Sequence, residues 1–169
     1  MVVAIAPVVF FSCGYTTRST LPSHIKTIYI EPFKNKIDYT KENKRNVYFP
    51  LLEVEVRKSI IDRFLFNGYL KITTPETADL VLRGELASYD KTALRFTDND
   101  DVQEYRVHVG VNLEMWDATK QEISWVESGF TGEATYLVSG PGAISEQDAL
   151  EEAVEDLGRR IVERTLEDW

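Results

Sequence analysis

Residues 104–117 read EYRVHVGVNLEMWD, and their alternation constrains this chain more than any other feature. Tyr105, Val107, Val109, Val111, Leu113 and Met115 fall on one side of an extended backbone, and Arg106, His108, Asn112 and Glu114 on the other. Side chains of a strand alternate between faces, so a segment this long with one apolar and one charged side predicts a sheet covered on one face and polar on the other.

The neighbouring segments supply the rest of such a sheet. Leu80, Leu82 and Leu86 alternate with Arg83 and Glu85, and residues 122–136, EISWVESGFTGEATY, read as the returning partner of 104–117, with Gly129 and Gly132 permitting a bulge or a close approach. These three strands predict an antiparallel meander. The polar stretch 89–103 between the first two is expected to be a loop. Earlier in the chain, residues 24–33, HIKTIYIEPF, predict a short strand, residues 34–45 a polar, cationic loop, and residues 69–74, YLKITT, another short strand ended by Pro75.

Two segments carry helical periodicity. Pro50 suits a first helical turn and Gly68 a helix end. Between them Leu52, Val56, Ile60 and Phe64 form one apolar stripe and Val54, Ile61 and Leu65 a second, narrower one. The first stripe can cover a sheet, while the second needs a neighbour, either the other helix of the domain or a partner protein. After the break at residues 140–142, GPG, Ser145 and Asp148 form a capping box, and Ala149, Leu150, Ala153, Val154, Leu157 and Ile161 share one stripe. The order strand, helix, three or four strands, helix predicts an α+β two-layer sandwich, with two helices packed on one face of a four- or five-stranded mixed, mostly antiparallel sheet. With 169 residues, 43% of them apolar, the chain supports a single domain, expected over residues 24–169.

The N-terminus reads differently. Residues 2–11 are a continuous apolar run broken only by Pro7, well short of the roughly 20 residues a membrane-spanning helix needs. Its length suits the apolar core of a secretory signal, followed by the small residues Ser12 and Gly14 around Cys13. Bacterial lipoproteins are cut just before such a cysteine, whose sulfur then carries lipid. Residues 1–12 are therefore expected to be a lipoprotein signal peptide, Cys13 the lipidation site, and residues 13–23 a linker. The other reading makes residues 2–11 a core strand and Cys13 a buried thiol. The first cation is Arg18, so the basic start of the signal is missing, which predicts a reading frame that extends upstream of Met1.

Residue types narrow the chemistry. A net charge of −9 argues against a general nucleic-acid binder, which needs Lys and Arg gathered on one face. One cysteine excludes an internal disulfide or a multi-cysteine metal site. His24 and His108, the two histidines, have no partner at zinc-ligand spacing, and residues 98–101, DNDD, lack the glycine and distant glutamate of a calcium-binding loop. No phosphate loop and no nucleophile elbow occurs, and paired carboxylates such as Glu151 and Glu155 fall on the solvent side of the second helix. No cofactor or metal is expected, and an enzyme is the weaker class.

The combination of CGYTT at 13–17, LPSHIKTIYIEPFKNK at 21–36, ADLVLRGELASYDKTALRF at 78–96, VQEYRVHVGVNLEMWDATKQEISW at 102–125 and SEQDALEEAVEDLGRRIVERTLEDW at 145–169 resembles the LptE family of lipopolysaccharide-assembly lipoproteins. The resemblance implies a non-enzymatic protein anchored through lipidated Cys13 at the periplasmic face of the outer membrane. There it would plug and help assemble the LptD β-barrel and contact lipopolysaccharide. Lipopolysaccharide is polyanionic, so the expected contacts are the basic loop clusters. Lys34 and Lys36, with Lys41, Lys44 and Arg45, make up one, and Lys91 with Arg95 the other. The competing readings are an envelope lipoprotein that binds another partner or amphiphile through its sheet, and an envelope hydrolase, which lacks a catalytic constellation.

Overall fold

The computed structural model describes residues 21–39 and 49–167. Cys13, the signal and linker expectations up to residue 20, and Lys41, Lys44 and Arg45 lie outside the described residues.

Chain order is β1 (Thr27–Ile30), β2 (Lys34–Asn35), α1 (Leu52–Asn67), β3 (Lys71–Ile72), β4 (Leu80–Phe96), β5 (Val102–Asp117), β6 (Glu122–Leu137) and α2 (Glu146–Glu167). The strands form one six-stranded sheet in the order β3-β1-β4-β5-β6, with β2 added to β4. Pairing of β1 with β3, β1 with β4 and β2 with β4 is parallel, whereas β4, β5 and β6 form an antiparallel meander. The architecture is the expected mixed α+β sandwich, with β2 as an extra strand: Lys34 and Asn35, expected in a loop, pair with Glu85 and Leu86.

The meander departs from expectation in one place. Residues 89–96 continue β4, and the connecting loop shrinks to five residues, closed by the Thr97 N–H donating to Asp101 O at 2.7 Å. The cause is a bulge between Leu86 and Ser88, which puts one extra residue in the strand and shifts its alternation by one. Past the bulge Tyr89 and Lys91 return to the helix side, opposite Val109 and Val107. A period-two reading carried straight through from Leu86 loses its phase there and sees a loop.

One core lies between the sheet and the helices. Ile28, Ile30, Leu80, Leu82, Leu86, Val107, Val109, Val111, Leu113 and Met115 are all at most 2% exposed and meet Leu52, Val56, Ile60 and Phe64 of α1 and the apolar stripe of α2. Each such side chain contributes about 1.5–3 kcal/mol relative to an exposed one. The two helix ends named by sequence hold. Gly68 takes φ 73° and its N–H donates to Phe64 O, while Ser145 Oγ accepts from the Asp148 N–H at 3.1 Å and Asp148 Oδ2 accepts from the Ser145 N–H at 3.1 Å.

Close approach sets how α2 sits. A Cβ on Gly132 of β6 would lie 2.4 Å from Ala153 O and 2.5 Å from Leu157 Cβ, so α2 rests directly on the strand backbone. On its other side, a Cβ on Gly158 would lie 2.6 Å from Ser59 Oγ of α1, and that hydroxyl donates to Val154 O at 3.1 Å. Gly129, with φ 67°, occupies the bulge opposite Asn112, whose Oδ1 accepts from its N–H at 2.9 Å. Of the narrower stripe of α1, Ile61 packs against the core, whereas Val54 and Leu65 remain exposed. No helix among the described residues is long and apolar enough to cross a membrane.

Candidate functional site

The four basic residues expected to contact lipopolysaccharide divide between the two faces of the sheet. Lys34 stands opposite Glu85 on the uncovered face, and Lys36 lies two residues on; both are exposed, and no carboxylate among the described residues pairs with either. Arg95 lies ten residues beyond Glu85 along β4, about 30 Å away at ~3.3 Å per residue. It forms an ion pair with Glu104 at 3.0 Å. Lys91 is turned by the bulge to the helix side, where it binds Glu146 at the start of α2 and lies 5.0 Å from the centre of the Tyr105 ring. Lys34 and Lys36 form one small basic site. Lys91 and Arg95 do not join it.

Around Lys34 the uncovered face is concave. Glu31, Pro32, Lys34, Arg83, Asn112 and Val126 line a shallow pocket of about 280 Å³. Its charge is organised by Arg83, which donates to Glu114 Oε1 at 2.7 Å and to Glu31 Oε1 at 3.2 Å and stacks 5.6 Å from the Trp116 ring centre. Those two carboxylates raise the Arg83 pKa and keep the guanidinium charged. The pocket therefore offers an ammonium at one end, an exposed Val126 at another, and a neutralised guanidinium between them.

The side chains that Lys91 joins form a cluster that sequence reasoning missed. Tyr89 donates to Glu146 Oε1 at 2.8 Å, Tyr136 donates to Oε2 at 3.4 Å, Tyr105 stacks on Tyr136 at 5.7 Å, and Phe49 meets Tyr89 edge-on at 5.0 Å. Burial alone would raise the Glu146 pKa, but the bonds from Lys91 and Tyr89 outweigh it and hold the carboxyl below its usual range. Burial, with the neighbouring Glu146 charge, pushes Tyr136 up to about 12 and Tyr89 higher still. Glu146 is thus an ionised staple between the helix and the sheet. The signal in the sequence was Tyr105 and Tyr136 on the apolar side of adjacent strands, yet nothing local reveals that Tyr89 and Lys91 share that side.

At the histidines, His108 Nε2 lies 3.2 Å from Glu133, which Arg106 approaches at 3.9 Å, on the uncovered face. His24 is exposed near Asp79, whose Oδ2 accepts from the Lys26 N–H, the Thr27 N–H and the Thr27 hydroxyl. Residues 98–101 form the β4–β5 turn, where Thr97 Oγ1 accepts from the Asn99 and Asp101 N–H groups. No group of three or more His, Cys, Asp or Glu side chains among the described residues converges as a metal site.

A helix-covered sheet with a charged open face, whose side chains are mostly engaged with one another, defines an α+β sandwich that presents surfaces for contact. The chain belongs to the LptE lipopolysaccharide-assembly family, whose model matches residues 25–165. That family acts in lipopolysaccharide assembly and is associated with the outer membrane. No curated protein sequence matches the chain. Among solved structures the chain is similar to a hypothetical protein of Chlamydia trachomatis, at 16% identity and a TM-score of 0.56, covering 83% of this chain and 95% of that one. A Xanthomonas campestris protein aligns at 13% identity and a TM-score of 0.58, covering 88% of each. PelC of Paraburkholderia phytofirmans, a dodecamer, aligns at 13% identity and a TM-score of 0.51, covering 86% of this chain and 93% of that one. At such identities the likeness is one of fold.

Proposed function

We propose that this protein is an outer-membrane lipoprotein, anchored through Cys13 at the periplasmic face, that plugs an LptD-type β-barrel, helps it assemble and contacts lipopolysaccharide on its way to the cell surface. The observation that carries the reading is the family match over residues 25–165. The open sheet face adds support. It leaves Lys34 and Lys36 exposed beside a concave surface, as contact with a polyanionic amphiphile requires. Lys91 and Arg95 would reach such a ligand only by giving up Glu146 and Glu104.

Recovery of the protein from outer membranes tests the barrel partnership. A large β-barrel subunit is expected to co-purify, and its absence overturns the partnership. Mass spectrometry of the mature N-terminus tests the anchor: an acylated Cys13 is expected, and an intact, unmodified Met1 defeats it. Lipopolysaccharide binding by Lys34→Ala/Lys36→Ala is expected to fall by about tenfold in low salt and by less in moderate salt, where screening already weakens the lysines' contribution, with a smaller loss for Lys91→Ala or Arg95→Ala. Unchanged affinity in the double variant removes the basic site. The shallow pocket with Arg83 and Val126 favours one second reading, an envelope lipoprotein that binds a different amphiphile through its sheet. Co-purification of the barrel separates the two.

A further inference from the structure

The main strands and the end of α1 meet at one end of the sheet. β1, β3 and β4 run parallel and begin there, β5 finishes there with Asp117 opposite Leu80, and β6 leaves from Glu122. Only Gly68, Tyr69 and Leu70 separate Asn67 of α1 from β3, so the last turn of α1 comes down to the same end. Exposed apolar side chains gather there: Leu65 at 62%, Phe66 at 82% and Tyr69 at 52% close to the helix end, and Ile123 at 49% at the start of β6. Single exposed apolar residues are ordinary, but several at one end mark a contact surface. The N-terminal chain enters at this end too. Leu21 packs on the core, the Ile25 N–H donates to Pro22 O at 3.0 Å, and β1 begins at Thr27. Cys13 precedes Leu21 by eight residues, a reach of at most about 29 Å. Lys26, Lys71 and Lys120 are exposed at this end beside Glu76, Glu122 and Glu167, and the Arg63 guanidinium lies 5.4 Å from the centre of the Phe66 ring. Cations thus offset carboxylates locally, although the chain carries −9 overall. At the opposite end of the meander the β4–β5 turn exposes Asp98, Asp100 and Asp101.

We propose that this end of the domain rests on the phospholipid surface to which Cys13 is anchored, with Leu65, Phe66 and Tyr69 set into the headgroup layer. The proposal rests on the lipid anchor read for Cys13. The tether decides which end faces the bilayer. The β4–β5 turn lies a strand length away, about 50 Å for the 16 residues of β5, so a tether of about 29 Å cannot place that turn on the bilayer end-on. Tyr69 suits the interface, where its ring meets apolar chains and its hydroxyl meets water. Arg63, Lys26 and Lys71 are placed to meet lipid phosphates while their stems lie on apolar surface. A barrel that takes up the domain replaces the bilayer around it, so the contact belongs to the chain before that step, when it holds the aspartate turn away from the membrane.

The purified full chain carrying Cys13→Ser, which has no acyl group, is sedimented with vesicles of phosphatidylethanolamine and phosphatidylglycerol. Leu65→Ser/Phe66→Ser is expected to weaken its partition at least about fivefold, because interfacial binding scales with the apolar area buried, while Leu94→Ser/Phe96→Ser near the aspartate turn leaves it unchanged. These side chains are exposed, and unchanged melting temperatures confirm that the variants fold. With a spin label on the lipid headgroups, the amide signals of Phe66 and Tyr69 are expected to broaden more than those of Phe96 and Asp100. No partition, partition unmoved by Leu65→Ser/Phe66→Ser, or stronger broadening at Asp100 overturns the proposal. So does self-association without vesicles that Leu65→Ser/Phe66→Ser abolishes, which makes a second copy the occupant. Neither measurement uses the acyl group, so its result stands apart from mass spectrometry of Cys13, and failure of the anchor and failure of this contact are told apart.

Discussion

The Tyr89 hydroxyl of β4 donates to Glu146 Oε1 at the first turn of α2, 2.8 Å away and 57 residues along the chain. This bond, with those from Lys91 and Tyr136, holds the N-terminal end of α2 on the meander. Tyr89→Phe removes a hydrogen bond to a charged, part-buried acceptor and is expected to cost about 1–3 kcal/mol, read from urea unfolding. Glu146→Gln keeps an acceptor for Tyr89 and loses the Lys91 charge pair. A double-mutant cycle on Tyr89 and Glu146 is expected to show favourable coupling; additive single effects would refute the staple.

Stability is expected to fall at both ends of the pH scale for different reasons. Glu146 and Asp79 have folded pKa values below their ordinary ones. For Asp79, burial opposes the shift, and the Lys26 N–H with the Thr27 hydroxyl and N–H overcome it. Both carboxylates therefore stabilise the fold above the ordinary range near 4 and lose that contribution as pH falls through the folded values. Tyr136 is raised to about 12 and Tyr89 further. Their contribution is complete below about pH 10 and is lost as pH rises through the folded values. Unfolding free energy measured against pH is expected to decline on both sides. Asp79→Asn should flatten the acid side, and tyrosinate absorbance should show two tyrosines titrating late.

Gly132 and Gly158 fix α2 on its two sides, and both are expected to reject a methyl group. Gly132→Ala drives a Cβ into Ala153 O and Leu157 and is expected to cost about 2–4 kcal/mol; Gly158→Ala meets Ser59 and is expected to cost about 1–3 kcal/mol. Gly140→Ala, with φ 91° and open space around it, tests backbone conformation alone and is expected to cost about 1 kcal/mol. Thermal melts that rank Gly140 above Gly132 would contradict the packing described.

β6 is an edge of the sheet, and α2 reaches down to it. The Glu133 N–H donates to Asp156 Oδ2 at 3.1 Å, the Arg160 guanidinium donates to Thr131 O, and Arg164 Nε donates to Glu127 Oε1 at 2.9 Å. In antiparallel pairing the groups of Thr131 and Glu133 both point away from β5, so these bonds occupy backbone positions that another strand would use. Asp156→Ala/Arg160→Ala is expected to speed amide exchange at Glu133 and promote concentration-dependent self-association, measured by light scattering. Unchanged exchange at Glu133 would show that the cap does not protect the edge.

The alternation of residues 104–117, the capping box at Ser145, the helix-ending Gly68 and the main stripes of both helices are local patterns. Their periods depend only on backbone geometry, so the sequence alone was enough to specify a mixed sheet with helices on one face. Position across strands is another matter. The bulge after Leu86 reversed the side on which Tyr89 and Lys91 lie, because one extra residue flips every side chain beyond it, and the pairing with β5 alone determines where that residue sits. The same cause separated Lys91 from Lys34 and Lys36, which a count of basic residues in loops had treated alike. Val54, Ile61 and Leu65 share one stripe of α1 by period, and only tertiary packing decided that Ile61 lies against the core while Val54 and Leu65 stay exposed, because a side chain's neighbours come from other elements and not from its own helix.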